Sequence, residues 1–169
     1  TMLVQGTVRL SGRLDWELRQ VFLGNYEDLK EGLRILLRLG VFQLFYMDSV
    51  PDYAAVTTTV QLAKTIHPNL GGLTNAILRT LVNLGERNVP DKHTPIANVA
   101  DYLSHPEWLI SKWIKDKNFE QAKALAEWNN KYPRLWFRVN RLGYTPTKFK
   151  IYLKLHDIKY EQFEHIPEF

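Results

Sequence analysis

Asp28-Leu29-Lys30-Glu31-Gly32-Leu33-Arg34-Ile35-Leu36-Leu37-Arg38-Leu39-Gly40-Val41-Phe42-Gln43-Leu44-Phe45-Tyr46-Met47 is the stretch on which the fold turns. Leu29, Leu33, Leu36 and Leu37 recur at three-to-four spacing behind Asp28, a residue type suited to an N-cap, and the run after Gly40 is apolar nearly all round. A helix with that pattern belongs at the centre of a core. Its neighbours read the same way. Leu14, Trp16, Leu18, Val21 and Phe22 fall on one face of a helix over residues 13 to 22, punctuated by Gly12 and Gly24. Val50-Pro51-Asp52 breaks the central run, and Ala54, Ala55, Val56, Val60, Leu62 and Ala63 make a helix over residues 53 to 66 that His67-Pro68 stops. Gly71-Gly72 then reads as the entry turn to a helix over residues 73 to 83. The fold class is mainly α.

With 169 residues the chain can bury roughly 70% of its unfolded surface, enough for a real core. Its 45% hydrophobic and 24% charged residues fit a globular protein, and no apolar run approaches the ~20 residues of a membrane span. No secretory leader precedes the first helical pattern, so a cytoplasmic location and no membrane partner are expected. There is no cysteine, which excludes disulfides, thiolate metal sites and cysteine nucleophiles within this sequence.

Residues 85 to 103 read as a polar loop with a short helix near 96 to 103. Ser104-His105-Pro106-Glu107 has the form of a capping box and predicts a helix over 105 to 117, and Asn118 with Gln121 predicts another over 119 to 129. At Arg134 the period changes. Leu135, Phe137 and Val139 alternate with Trp136, Arg138 and Asn140, as in a half-buried strand. Thr145-Pro146 opens a helix over 146 to 156, and Ile158, Tyr160 and Phe163 suit a second strand. The tail thus reads strand, helix, strand.

A search for catalytic chemistry finds little. The five histidines lack metal-site spacing, Gly71-Gly72 is the only glycine pair, and no nucleophile elbow or phosphate-cradling loop occurs. No metal is expected, and no catalytic residue is assigned. What stands out is charge: residues 131 to 159 hold eight Lys/Arg against Asp157 alone, while the whole chain carries only +4. Such a run can be a solvated surface. It can equally contact RNA, with Lys131, Arg134, Arg138, Arg141, Lys148 and Lys150 reaching phosphates while Trp136, Arg138 and Asn140 share a strand face for stacking, charge and base-edge contact. Trp136 could instead be buried against a helix. Arg9, Arg13 and Arg19 form a second, smaller basic group near the start.

Five segments, in order, carry a family resemblance: Leu3 to Leu18, Leu36 to Lys64, Gly72 to Arg79, Leu103 to Trp113 and Asn129 to Leu142. Together they resemble the N-terminal half of bacterial Sun/Fmu (RsmB-type) ribosomal RNA cytosine-5 methyltransferases. The resemblance implies a NusB-like helical RNA-binding domain over residues 1 to 103, its first helix missing before Thr1, and the start of a small α+β (ferredoxin-like) domain over 104 to 169. It implies that the full protein methylates cytidine C5 in small-subunit ribosomal RNA, using S-adenosylmethionine held in a catalytic domain absent here. No cofactor is expected on this chain. Its partners would be small-subunit ribosomal RNA and that missing methyltransferase domain. The matched motifs carry over Arg9, Arg13, Arg79, Arg138, Asn140 and Arg141 as RNA contacts, whereas Asn75 more simply caps or bridges elements. Thr57-Thr58 stand where the family often has Asn-Glu, which puts in doubt any helix-to-helix hydrogen bond made there.

Two other readings compete. One is a stand-alone NusB-like antitermination or RNA-binding factor. The other is a protein-interaction module with a groove made by Trp108, Trp113 and Trp128, against the simpler expectation that these three tryptophans are core.

Overall fold

The structure is a computed structural model, and it describes residues 2–86, 90–132 and 135–161. Nine α-helices are present among the described residues: α1 (Met2–Arg9), α2 (Ser11–Val21), α3 (Glu31–Tyr46), α4 (Asp52–Ile66), α5 (Leu70–Leu84), α6 (Ile96–Tyr102), α7 (Glu107–Asp116), α8 (Phe119–Asn129) and α9 (Pro146–Leu155). No helix among them is long and apolar enough to cross a membrane. The chain divides into two compact units, Thr1–Lys131 and Tyr132–Phe169.

In the first unit α3 is the central helix, packed on α1, α2, α4 and α5. Leu33, Leu37, Val41 and Phe42 are buried along it, against Leu14 and Leu18 of α2, Val56 and Ala63 of α4, and Ile77, Leu78 and Leu81 of α5. Each such side chain contributes about 1.5–3 kcal/mol on removal from water, so this face sets the bundle. Asp28 does not cap it. Asp28 lies in a 3₁₀ turn, Tyr26–Asp28, and α3 begins at Glu31 behind Lys30, which gives no side-chain cap.

A smaller cluster follows, with Val99, Ala100 and Leu103 packed against Ile110 of α7 and Ala126 of α8. The boundary expected at 103/104 therefore falls within the first compact unit. Trp113 packs partly buried on this cluster, but Trp108 and Trp128 are each 68% exposed, which corrects their expected place in the core. The reason is angular. Each lies two residues from a buried position, Ile110 or Ala126, and two helical residues turn the side chain through about 200°.

Ser104 also departs from its predicted role. Its hydroxyl does not cap α7, which starts after Pro106 without a side-chain cap. Instead Ser104 sits at φ 52° just past α6, where its Oγ accepts a hydrogen bond of 2.8 Å from the backbone N–H of Arg13. Arg13 is in the first turn of α2, whose N–H groups have no intrahelical partner. A residue 91 positions away thus caps α2 in trans. Gly12 makes the approach possible, because a Cβ there would lie 2.7 Å from the carbonyl oxygen of Asp101. The other two predicted caps form locally: Asn118 Oδ1 accepts from Gln121 N–H at 2.9 Å, and Thr145 Oγ1 from Lys148 N–H at 3.3 Å.

In the second unit residues 135–140 and 158–161 are in no regular element, so the expected strands are not formed among the described residues, and Phe163 lies outside them. A strand exists through its ladder of hydrogen bonds to a second segment, and no such ladder is assigned among the described residues. Aromatic packing organises the unit instead. Phe137 meets Phe149 of α9 edge-on at 5.7 Å, Phe149 stacks on Tyr152 at 6.3 Å, and Tyr144 touches both.

Removing the trans cap tests this account of the first unit. Ser104→Ala should destabilise it by about 1 kcal/mol in urea unfolding, and Ser104→Gly by less, since glycine relieves the left-handed backbone while losing the same bond.

Candidate nucleic-acid interface

The predicted residues separate into three places. Arg9, Arg13 and Lys131 line a concavity of about 390 Å³ in the first unit, together with Tyr46, Glu86, Tyr102 and Glu127. Arg13 is only 7% exposed. Its Nε donates to the fully buried Glu17 at 3.1 Å, its Nη2 lies 3.6 Å from Glu86, and its guanidinium sits 3.3 Å from the centre of the Tyr102 ring. That geometry makes Arg13 a tie between α2 and α6 and removes it from the cations that can reach a phosphate. Arg19, exposed, is spent likewise on Glu27 and Asp101. Sequence alone shows the cations but not the distant carboxylates, Glu86 for Arg13 and Glu27 with Asp101 for Arg19, that the fold brings to them.

Behind this wall Asp15, 8% exposed, receives both Nε and Nη2 of Arg38 at 2.6 Å and the hydroxyl of Tyr26 at 2.7 Å. Burial first, and then the hydrogen bond to Asp15, raise the Tyr26 hydroxyl well above the ordinary tyrosine range. Burial raises Tyr46 too, with a hydrogen bond to Glu86 adding to it. The bond from Arg38 to Asp15 holds that guanidinium more firmly protonated than usual.

Arg79 lies on α5, where its Nε donates to Asn75 Oδ1 at 3.0 Å, one turn back on the same helix. Asn75 therefore holds an arginine rather than bridging two helices. Thr58 makes no helix-to-helix bond either, since its Oγ1 donates to the carbonyl of Ala54 at 2.8 Å.

The remaining cations occupy the second unit. Arg138, Asn140 and Arg141 line a concavity of about 320 Å³, while Trp136, 59% exposed, lines a separate one with Leu135, Phe137 and residues 158–161. The face expected to be shared by Trp136, Arg138 and Asn140 is therefore not formed: Phe137 packs on Phe149 of α9, and Trp136 lines the same concavity as Phe137 instead of the one lined by Arg138 and Asn140. Asn140 Oδ1 accepts from the N–H of Leu142 at 3.1 Å, so this oxygen shapes the turn into α9, and only its amide nitrogen stays available to a base. Lys148 and Lys150 stand exposed on α9 with Lys154, and Arg134 lies outside the described residues. Among the described residues no carboxylate forms a salt bridge with Arg138, Lys148, Lys154 or Lys159. Lys154 and Lys159 join the cationic set by position. The count of charges in the sequence already contained them.

Residues 1–83 match the NusB family, and residues 105–169 match the Methyltr_RsmF/B-like, ferredoxin-like domain. The chain joins a NusB-family domain to an RsmF/B-type ferredoxin-like domain. The chain is 31% identical over 143 residues to the probable ribosomal RNA small subunit methyltransferase B of Bacillus subtilis (strain 168), covering 84% of this chain and 32% of that protein. It is 31% identical over 157 residues to the ribosomal RNA small subunit methyltransferase B of Yersinia pseudotuberculosis serotype O:1b, covering 92% of this chain and 35% of that protein. The chain spans about a third of the length of the curated relatives it matches. The RsmF/B-type match begins at residue 105, so α7 and α8 belong to it by sequence while packing with α6 in space.

The buried hydroxyls set an alkaline limit. Tyr26 and Tyr46 titrate at about the ordinary value of 10.0 once unfolded and higher when folded, so the native state binds more protons above that pH and loses stability as pH rises. The double variant Tyr26→Phe, Tyr46→Phe should show a flatter fall in urea stability between pH 9.5 and 11 than the parent chain.

Proposed function

We propose that this chain is the RNA-binding, substrate-positioning part of a small-subunit ribosomal RNA cytosine-C5 methyltransferase. In this reading, residues 1–103 are the NusB-like domain and 104–169 begin the domain that precedes the catalytic one. Small-subunit ribosomal RNA is the partner, and the missing methyltransferase domain is the other. The observation that carries the proposal is the charge of the second unit, where six exposed cations, Arg138, Arg141, Lys148, Lys150, Lys154 and Lys159, stand against Asp157 and Glu161 among the described residues. Phosphate backbone is the partner such a surface binds most strongly, through release of condensed counterions. Arg138 and Arg141 supply forked guanidiniums around one concavity, and Trp136 and Tyr144 offer exposed rings on which unpaired bases stack.

The residues present do not fit methyl transfer itself. Cytosine C5 becomes nucleophilic only after a thiolate adds at C6, and this chain has no cysteine. S-adenosylmethionine would be held by other residues of the full protein, and its contribution there would be the methyl group. The role assigned to this chain is to bind the RNA and orient it.

Arg138→Glu combined with Arg141→Glu should weaken binding of a small-subunit ribosomal RNA fragment at least tenfold and reduce the salt dependence of log K by about 1 to 2, measured by fluorescence anisotropy. Unchanged affinity would show that the cations of this turn are not the contact.

A further inference from the structure

The two apolar clusters of the first unit meet at a seam where α2 packs on α6. Leu14 and Leu18 of α2 belong to the larger cluster, and Val99 and Ala100 of α6 to the smaller. The ties between the two helices are polar. Arg19 Nη1 meets Asp101 Oδ2 at 2.6 Å, the guanidinium of Arg13 lies over the Tyr102 ring, and the Arg13 N–H donates to Ser104 Oγ. Trp16 stands on the same stripe of α2, four residues after Gly12 and three before Arg19, and belongs to neither cluster. Its indole N–H is shut off from water without a hydrogen-bond partner among the described residues. A donor left so destabilises the closed seam.

Beyond the seam α6, α7 and α8 are tied into one piece. Besides their apolar contacts, Asn130 Nδ2 donates to the carbonyl of Leu103 at 2.7 Å, His105 Nδ1 donates to the same oxygen at 2.5 Å, and the His105 ring packs on Trp113 at 5.5 Å. The bundle on the other side has its own core around α3. Each body therefore keeps its apolar contacts whether the seam is closed or open. By sequence, too, the seam joins separate parts, since α6 lies between the stretches that match the two families. A polar interface between parts of one chain permits relative motion.

We infer that the α2–α6 seam is a latch, at which α6, α7 and α8 swing off the bundle as one body while both clusters stay folded. The motion bears on binding. The concavity of about 390 Å³ lies across the seam, with Arg9, Arg13 and Tyr46 on the bundle side and Tyr102, Asn130 and Lys131 on the other, so the latch sets its width. Arg19 and Asp101 are exposed enough for dissolved ions to screen their attraction, which makes ionic strength the control. The inference is independent of what the second unit binds.

Native-state hydrogen exchange of the full 169-residue chain, followed amide by amide by NMR, tests it. The Arg13 N–H is the reporter, because its cap bond crosses the seam. Relative to an unstructured peptide, it should be at least tenfold less protected than the amides of Leu37 and Leu78 in the larger cluster and of Ala126 in the smaller. Asp101→Asn should speed its exchange at low salt by about twofold to fivefold, the worth of an exposed ion pair, and leave the other three amides unchanged. At high salt the parent should match the variant. Arg19 lies six residues along α2 from Arg13, about 9 Å, so coupling between them marks movement of a body. An Arg13 rate unmoved by Asp101→Asn would mean that the cap frays alone, and the latch would fall. Equal protection of all four amides would also overturn it, since the seam would then open only when the whole unit unfolds.

Discussion

One helix carries three charged side chains into the interior, and the first unit is arranged around satisfying them. Arg13, Asp15 and Glu17 of α2 are 7%, 8% and 0% exposed. Each would cost several kcal/mol to bury alone, so each demands a partner with good geometry. Arg38 of α3 and Tyr26 of the 3₁₀ turn meet Asp15, while Arg13 and Glu17 meet each other beneath Tyr102 of α6. The apolar residues of α2, Leu14 and Leu18, belong to the larger cluster, and its capped first turn abuts the end of α6, which belongs to the smaller. The helix is thus a shared wall between the two clusters. Losing one member of such a pair costs about 3–5 kcal/mol, because the other is left charged and dry.

The second unit is built on a different principle. Its contacts are aromatic, with Phe137, Tyr144, Phe149 and Tyr152 gathered on one side of α9, and buried area is small, with Leu153 the one buried apolar residue there among those described. Where arginines in the first unit are engaged by Glu17, Glu27, Asp15 and Asp101, Arg138, Lys148, Lys154 and Lys159 of the second are exposed and form no salt bridge among the described residues. The contrast underlies the functional proposal: the same residue type stitches helices together in one unit and stands exposed to solvent in the other.

How much of this was legible depended on how local the cause was. The α3 pattern, the stops at Pro51 and Pro68, and the caps at Asn118 and Thr145 are set within a few residues, and they appear in the structure where the sequence places them. The role of Ser104 was not legible, because its partner is 91 residues away and the local pattern offered a capping box. Arg13 was opaque for the same reason. Trp108 and Trp128 misled because a large apolar side chain is usually buried, and only the helical phase relative to Ile110 and Ala126 says otherwise. Alternation marked residues 135–140 as a strand, but a strand needs a second segment to form its ladder, alternation cannot supply one, and no strand is present among the described residues. At the candidate interface the charge excess was visible from composition. The division of Trp136 from Arg138 and Asn140 into separate concavities was not.

The central claim is that the basic segment of the second unit is where RNA lies. Ultraviolet crosslinking of the chain to small-subunit ribosomal RNA, followed by mass-spectrometric mapping of the modified peptides, tests it most directly. The account predicts crosslinks within residues 135–150, at Trp136 or Tyr144 above all. Efficient crosslinking with that segment unmodified would contradict it.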